Sequence, residues 1–207
     1  MSMSTPGRVA AAALAFAGVL LSAGCSETVR TGRSPAYLII EELTAVRGGD
    51  DGAEETDLLN SDVRTHGAIF EDVGLVTFRL ALKDIGQPGS VAAPTVNNAI
   101  TVTRYRVSYR RTDGRNTPGV DVPHPFESAG TVTVLDSAEL AFQLVRLQAK
   151  LEPPLIQLAD NQGGPGGGVA ITAIADVTFY GRDQTGNDVS VTGSIGVTFA
   201  DWADPAN

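Results

Sequence analysis

Cysteine is almost absent from this chain: Cys25 stands alone among 207 residues. A single thiol cannot close an intramolecular disulfide, and by itself it cannot supply a zinc cluster. Histidine is nearly as scarce, with only His66 and His124, so a usual structural zinc centre lacks its ligands. Lysine occurs twice, at Lys83 and Lys150, which leaves arginine as nearly the whole basic complement. The 15 basic residues are outnumbered by 24 acidic ones, a formal net charge of −9. Sequence-independent nucleic-acid binding needs a basic field over the phosphates, and that balance excludes it. Hydrophobic residues, by contrast, make up 43%, too much for a wholly disordered chain.

Part of that apolar material lies at the amino terminus. Residues 1–8 are polar and carry one basic side chain, Arg8; residues 9–21 are an uncharged Ala/Leu/Val run; Ser22, Ala23 and Gly24 are small. The layout is that of a secretory signal peptide over residues 1–24. The uncharged run from 9 to 24 has 16 residues, short of the about 20 that a spanning helix needs. Cys25 follows directly. The string Leu21-Ser22-Ala23-Gly24-Cys25 resembles a bacterial lipoprotein signal, with Ser22 where an aliphatic residue is usual. The resemblance implies lipidation of the Cys25 thiol, cleavage in front of it, and a membrane lipid as first partner. Ser26, in place of the aspartate that signals inner-membrane retention in that family, implies the outer membrane if the cell has one. Removal of the leader leaves 183 residues with 14 basic against 24 acidic side chains, a balance of −10. Residues 25–35 then read as the lipidated Cys and a polar tether.

From residue 36 the dominant signal has period two, which marks strands with one buried and one solvated face. Residues 37–43 form a first strand. Residues 75–82 place Val76, Phe78, Leu80 and Leu82 together. Residues 101–111 place Thr103, Tyr105, Val107 and Tyr109 opposite Arg104, Arg106, Ser108 and Arg110. Residues 131–135 are a short β-branched run. Ile171, Ala173, Ala175, Val177 and Phe179 share a face, as do Val189, Val191, Ile195, Val197 and Phe199. The last two strands flank a Gly186-Asn187 turn and read as a hairpin. Residues 48–60 read as an acidic loop. Residues 137–151 carry both helical and alternating patterns; the reading adopted is a strand over 140–148 and a helical turn over 154–158.

Seven short strands with turn-rich connections predict an all-β chain, a single antiparallel β-sandwich over residues 36–203 with at most one short helix and a tail at 204–207. Tyr105-Arg-Val-Ser-Tyr109 resembles the central strand of a fibronectin type III or immunoglobulin-like domain. The hairpin from Phe179 to Asn187 resembles the end of bacterial immunoglobulin-like domains. The likeness implies architecture and carries no function with it.

Catalytic and cofactor motifs are sparse. The string Gly193-Ser-Ile-Gly196 has the wrong spacing for a nucleophile elbow, and the glycine-rich stretch 163–168 lacks the Lys-Ser/Thr of a phosphate loop. Asp50, Asp51, Glu54, Glu55 and Asp57, and Asp183 with Asn187 and Asp188, offer oxygen ligands of the kind calcium takes; an acidic surface loop and an ordinary turn account for both sets. No catalytic, metal or cofactor residue is therefore assigned. The candidate partner-binding set is Arg104, Arg106, Arg110, Arg111 and Arg115, because guanidinium pairs bidentately with carboxylate or phosphate and stacks on aromatics. The competing reading is a solvated face with cross-strand acidic partners. The expected function is a membrane-anchored envelope module that binds or scaffolds a protein or glycan through that set and the loop 112–126. The alternatives are an envelope hydrolase built from His124 or His66 with Asp121 or Asp113, and a structural subunit pairing through its edge strands.

Overall fold

The computed structural model describes residues 33–49, 52, 54–159 and 169–202. The leader 1–24, Cys25, Ser26, most of the tether, Asp50, Asp51, the glycine-rich stretch 163–168 and the tail 204–207 lie outside the described residues. In chain order the strands are β1 (Ala36–Val46), β2 (Leu58–Asp62), β3 (Asp72–Leu82), β4 (Gly86–Gln87), β5 (Ser90–Val91), β6 (Ile100–Arg110), β7 (Phe126–Val134), β8 (Ser137–Val145), β9 (Ile171–Asp183) and β10 (Asp188–Ala200). One short helix, α1 (Leu147–Lys150), and 3₁₀ turns at Val96–Asn98 and Leu155–Leu158 complete the described elements. The all-β class and the single short helix agree with the sequence reading.

Two sheets carry the fold, one ordered β1-β3-β8 and the other β2-β10-β9-β6-β7. Pairing is antiparallel except at one edge. There β2 lies parallel to β10, from Leu58 opposite Gly196 to Asp62 opposite Ala200, so the second sheet is mixed where a purely antiparallel arrangement was expected. The reason is local: after β1 the chain crosses to the other sheet and runs alongside β10 in the same direction. Register shifts at Ile40/Glu42, Asp72/Val73 and Val102/Arg104 are bulges that bend and twist the strands. The third corrects a detail of the pattern: Val102 is buried, and Thr103 and Arg104 both face solvent.

The inner faces share one core. Phe78 of β3 meets Phe179 of β9 edge-on with ring centroids 4.9 Å apart. Phe142 of β8 meets the same ring at 5.2 Å and Tyr105 of β6 at 5.2 Å. Gly74 makes room for this cluster, since a Cβ there would lie 2.3 Å from the Phe142 ring. Tyr105 and Tyr109 spend their hydroxyls inside: Tyr105 Oη accepts from the Gln143 N–H at 3.0 Å, and Tyr109 donates to the Leu144 carbonyl at 2.5 Å. Burial, with Asp72 adding its negative charge, pushes the Tyr109 hydroxyl far above its ordinary ionisation range, so it remains a neutral donor.

The strand directions define two poles. The chain enters at a near pole, where Ala36 pairs with Leu82, Ser137 with Arg79, and Ile100 with both Val134 and Asp183. The far pole holds Val46 opposite Val73, Asp72 opposite Val145 and Arg110 opposite Ile174. A polar cluster missed by sequence reading closes the core at that end. The buried Lys150 ammonium sits 2.9 Å from the buried Asp72 carboxylate, which also accepts from Ser61 Oγ at 2.6 Å and from the Gly48 N–H at 2.9 Å.

Candidate functional site

The arginine set divides between two places. Beyond the bulge, β6 turns Arg104, Arg106 and Arg110 onto the outer face of the five-stranded sheet. Register supplies each with an acid on a neighbouring strand. Glu127 of β7 lies opposite Arg106; its carboxylate is 3.1 Å from Arg104 and 3.6 Å from Arg106. Asp176 of β9 lies 2.7 Å from Arg110 Nε and also accepts from Ser194 Oγ at 2.6 Å. Three guanidiniums thus face two carboxylates, and the patch retains about one positive charge. Arg104 is further fixed by stacking 3.9 Å above the Tyr180 ring. Beside it the outer face dips into a groove of about 470 Å³, lined by Thr103, Arg104, Tyr180, Arg182, Asp188 and Ser190. Tyr180 and Arg182 were passed over in the sequence; their placement between the buried Phe179 and Asp183 on β9 would have put them on the outer face beside Arg104.

The remaining two arginines sit at the far pole in the loop 111–125, which joins β6 to β7. This loop is built rather than slack. Asn116 Oδ1 accepts from the Arg111 N–H at 2.6 Å, and Asp121 accepts from the Thr117 N–H at 3.1 Å. Arg111 pairs with Asp113, and Arg115 with Asp121 at 3.3 Å. The Arg111 side chain, helped by the Arg115 N–H, holds the Asp113 carboxyl below the ordinary aspartate range. The Thr117 N–H, followed by the Thr117 and Arg115 side chains, does the same for Asp121. Both acids are therefore fixed as carboxylates with oxygens directed at these partners. In the hydrolase reading they would assist a histidine. His124 is exposed and its ring lies over Gly119, where a Cβ would be 2.3 Å from Nε2; the carboxylates are spent on the loop's own donors.

Between this loop and the 3₁₀ turn at Leu155–Leu158 opens a second depression of about 330 Å³, bordered by Arg111, Arg115, Asp121, Gln157 and Val169. Val120 and Val169 at its border are exposed apolar side chains, so cationic, anionic and apolar groups meet on one presented surface.

The oxygen-rich β9–β10 turn is self-contained. Asp183 accepts from the Thr185 N–H and Oγ1 and from the Asn187 N–H and Nδ2, at 2.8–2.9 Å. Desolvation raises its carboxyl, but these hydrogen bonds, those from Asn187 first, outweigh it and hold the carboxyl below its ordinary value. Asp188 pairs with Arg182 at 2.8 Å. Among the described residues, no group of three or more His, Cys, Asp or Glu is disposed to hold a metal ion, and no helix is long and apolar enough to cross a membrane. No family model matches the chain, and no curated protein matches it.

Proposed function

We propose that this protein is a lipoprotein of the bacterial cell envelope, anchored through acylated Cys25, whose β-domain binds or scaffolds a protein or glycan partner. The leader and the lone Cys25 behind its small residues support export and anchoring; Ser26 favours the outer membrane in a cell that has two. A diacylated cysteine gives lasting attachment, because each buried methylene contributes about 0.8 kcal/mol and a single chain holds only marginally.

The domain is of the immunoglobulin-like or fibronectin type III-like kind. The connectivity supports this. Setting aside the short β2, β4 and β5, seven long strands remain. The first, second and fifth form one sheet, and the seventh, sixth, third and fourth form the other in that order. Grouping the third, sixth and seventh strands in one sheet is the pattern of that class.

The observation that carries the binding role is the polarity of the molecule. The chain enters at the near pole, while the hydrogen-bonded loop 111–125, with Arg111, Arg115 and exposed Val120, stands at the opposite end. Loops held out by a rigid scaffold are where such domains bind.

The test uses the full chain in cells. Cys25→Ser should move the protein from the membrane to the soluble fraction, and unchanged fractionation of that variant would refute anchoring. A photocrosslinking residue at Val120 should yield a discrete adduct that disappears when Arg111→Glu and Arg115→Glu are combined. An adduct that persists in the charge-reversed variant removes the far-pole loop from the binding surface; loss only with Arg106→Glu and Arg110→Glu moves the site to the sheet face.

A further inference from the structure

The near pole carries its own concentration of exposed apolar side chains. Ile85 is 68% exposed, Val91 78% and Val96 69%, and Tyr37 and Leu135 are exposed beside them. Backbone contacts bring them to one end. Gly86 pairs with Val91, and the Ala92 N–H donates to the Ile85 carbonyl at 3.0 Å. The Leu80 N–H donates to the Asp136 carbonyl at 2.9 Å, and Ile100, just after the turn at Val96–Asn98, pairs with Val134. Residues 85–103 contain no charged side chain, in a protein of net charge −9. Several charges around them have local partners, while the Asp136 carboxylate next to Leu135 is exposed. Asp84 accepts from the Gly86 N–H at 2.9 Å, Arg182 pairs with Asp188, and the Lys83 ammonium lies 4.9 Å over the Tyr37 ring.

The chain enters the domain at this same place, where the Lys83 N–H donates to the Pro35 carbonyl at 3.0 Å. Cys25 precedes Pro35 by ten residues, and a chain of that length reaches at most about 36 Å when fully extended. The 13-residue strands β9 and β10 run about 43 Å from pole to pole. An anchor at Cys25 therefore keeps the near pole close to the bilayer and leaves the far pole beyond its reach. An acidic protein is repelled by an anionic leaflet; the uncharged segment 85–103 is the part that can approach with least penalty.

We infer that the near pole rests on the lipid surface, with Ile85, Val91 and Val96 dipping among the headgroups and the Tyr37–Lys83 pair at the water boundary. Exposed apolar groups at such an interface sit about 5–10 Å into it, and a tyrosine ring and a lysine stem each offer an apolar body with a polar tip. This rests on the proposed anchoring at Cys25 and adds to it a fixed orientation of the domain.

The experiment uses the full chain purified from membranes and returned to vesicles of phosphatidylethanolamine and phosphatidylglycerol. Spin labels are placed by Val91→Cys at the near pole and by Val120→Cys at the far pole. In the parent chain an acylated Cys25 takes no label, and the protein floats with the vesicles. The label at residue 91 should show severalfold less relaxation by a water-soluble nickel complex, and more by oxygen, than the label at residue 120. Equal aqueous relaxation at both positions in protein that still floats overturns the resting contact while anchoring stands. A parent chain that takes the label at Cys25 and stays in the aqueous fraction overturns both.

Discussion

Asp72 shows why single residues of this fold differ so much in weight. Its carboxylate is buried among the Lys150 ammonium, the Ser61 hydroxyl and the Gly48 N–H. Removing one partner leaves the other charge buried and unanswered, a loss of about 3–5 kcal/mol. Asp72→Ala should therefore lower the melting temperature steeply, and adding Lys150→Met should recover much of the loss; a double variant as unstable as the single would show that the pair is not the source. The exposed pairs are different. Arg110 and Asp176 touch at 2.7 Å, yet half-solvated pairs of this kind contribute less than about 1 kcal/mol, so Arg110→Ala should change stability by no more than that in denaturant titration. Asp183 adds a dependence on pH. Its carboxyl is held below the ordinary 3.8, so its stabilisation is present above that value and is lost as pH falls through the lower, folded-state value. Asp183→Asn should cost about 1 kcal/mol at pH 7, and the gap from the parent chain should close in strongly acidic buffer. A gap that stays constant with pH would assign the effect to shape rather than charge.

Whole elements were legible in the sequence in proportion to the regularity of their burial. β9 and β10 could be read nearly to their ends, because Ile171, Ala173, Ala175, Val177 and Phe179, and then Ile195, Val197 and Phe199, all enter the core. β8 was harder, since residues 137–151 satisfy both periods; the strand ends at Val145, and α1 follows because Lys150 must turn inward to Asp72. In β6 the phase slipped at the bulge, which no local pattern announces. The first three residues of β2, 58–60, fall in the stretch that reads as an acidic loop. The strand's five residues put Ser61 and Asp62 inside beside Leu59, and a polar interior residue erases the alternation that reveals a strand. Gly74 gives the element-scale test of packing between β3 and β8. A methyl group there would stand 2.3 Å from the Phe142 ring, and overpacking of this kind costs about 1–3 kcal/mol. Gly74→Ala should destabilise by that amount, and Phe142→Leu, itself unfavourable alone, should give back part of it in the double variant; strictly additive losses would place the strain elsewhere.

At the scale of the molecule, the arginines were visible as residues but their division between a sheet face and a polar loop was not, because it depends on where β6 stops and which acids lie across it. The apolar near pole is invisible for a similar reason: Tyr37, the segment with Ile85, Val91 and Val96, and Leu135 are three separate stretches of chain that only the sheet topology gathers. That gathering sets a measurable dimension. If the near pole rests on lipid, the long strands stand away from the bilayer, and the protein layer should be about 40 Å deep along the membrane normal, the length of 13 extended residues. A domain lying on a sheet face would instead give a layer set by the spacing of about 10 Å between two packed sheets plus their outward side chains, roughly half as deep. Neutron reflectometry on a supported bilayer carrying the lipidated chain separates the two. Combining Ile85→Ser, Val91→Ser and Val96→Ser should leave the protein attached but smear the deep layer, because the tether remains while the contact that orients the domain is gone; a profile identical to that of the parent chain would mean that these side chains do not set its orientation.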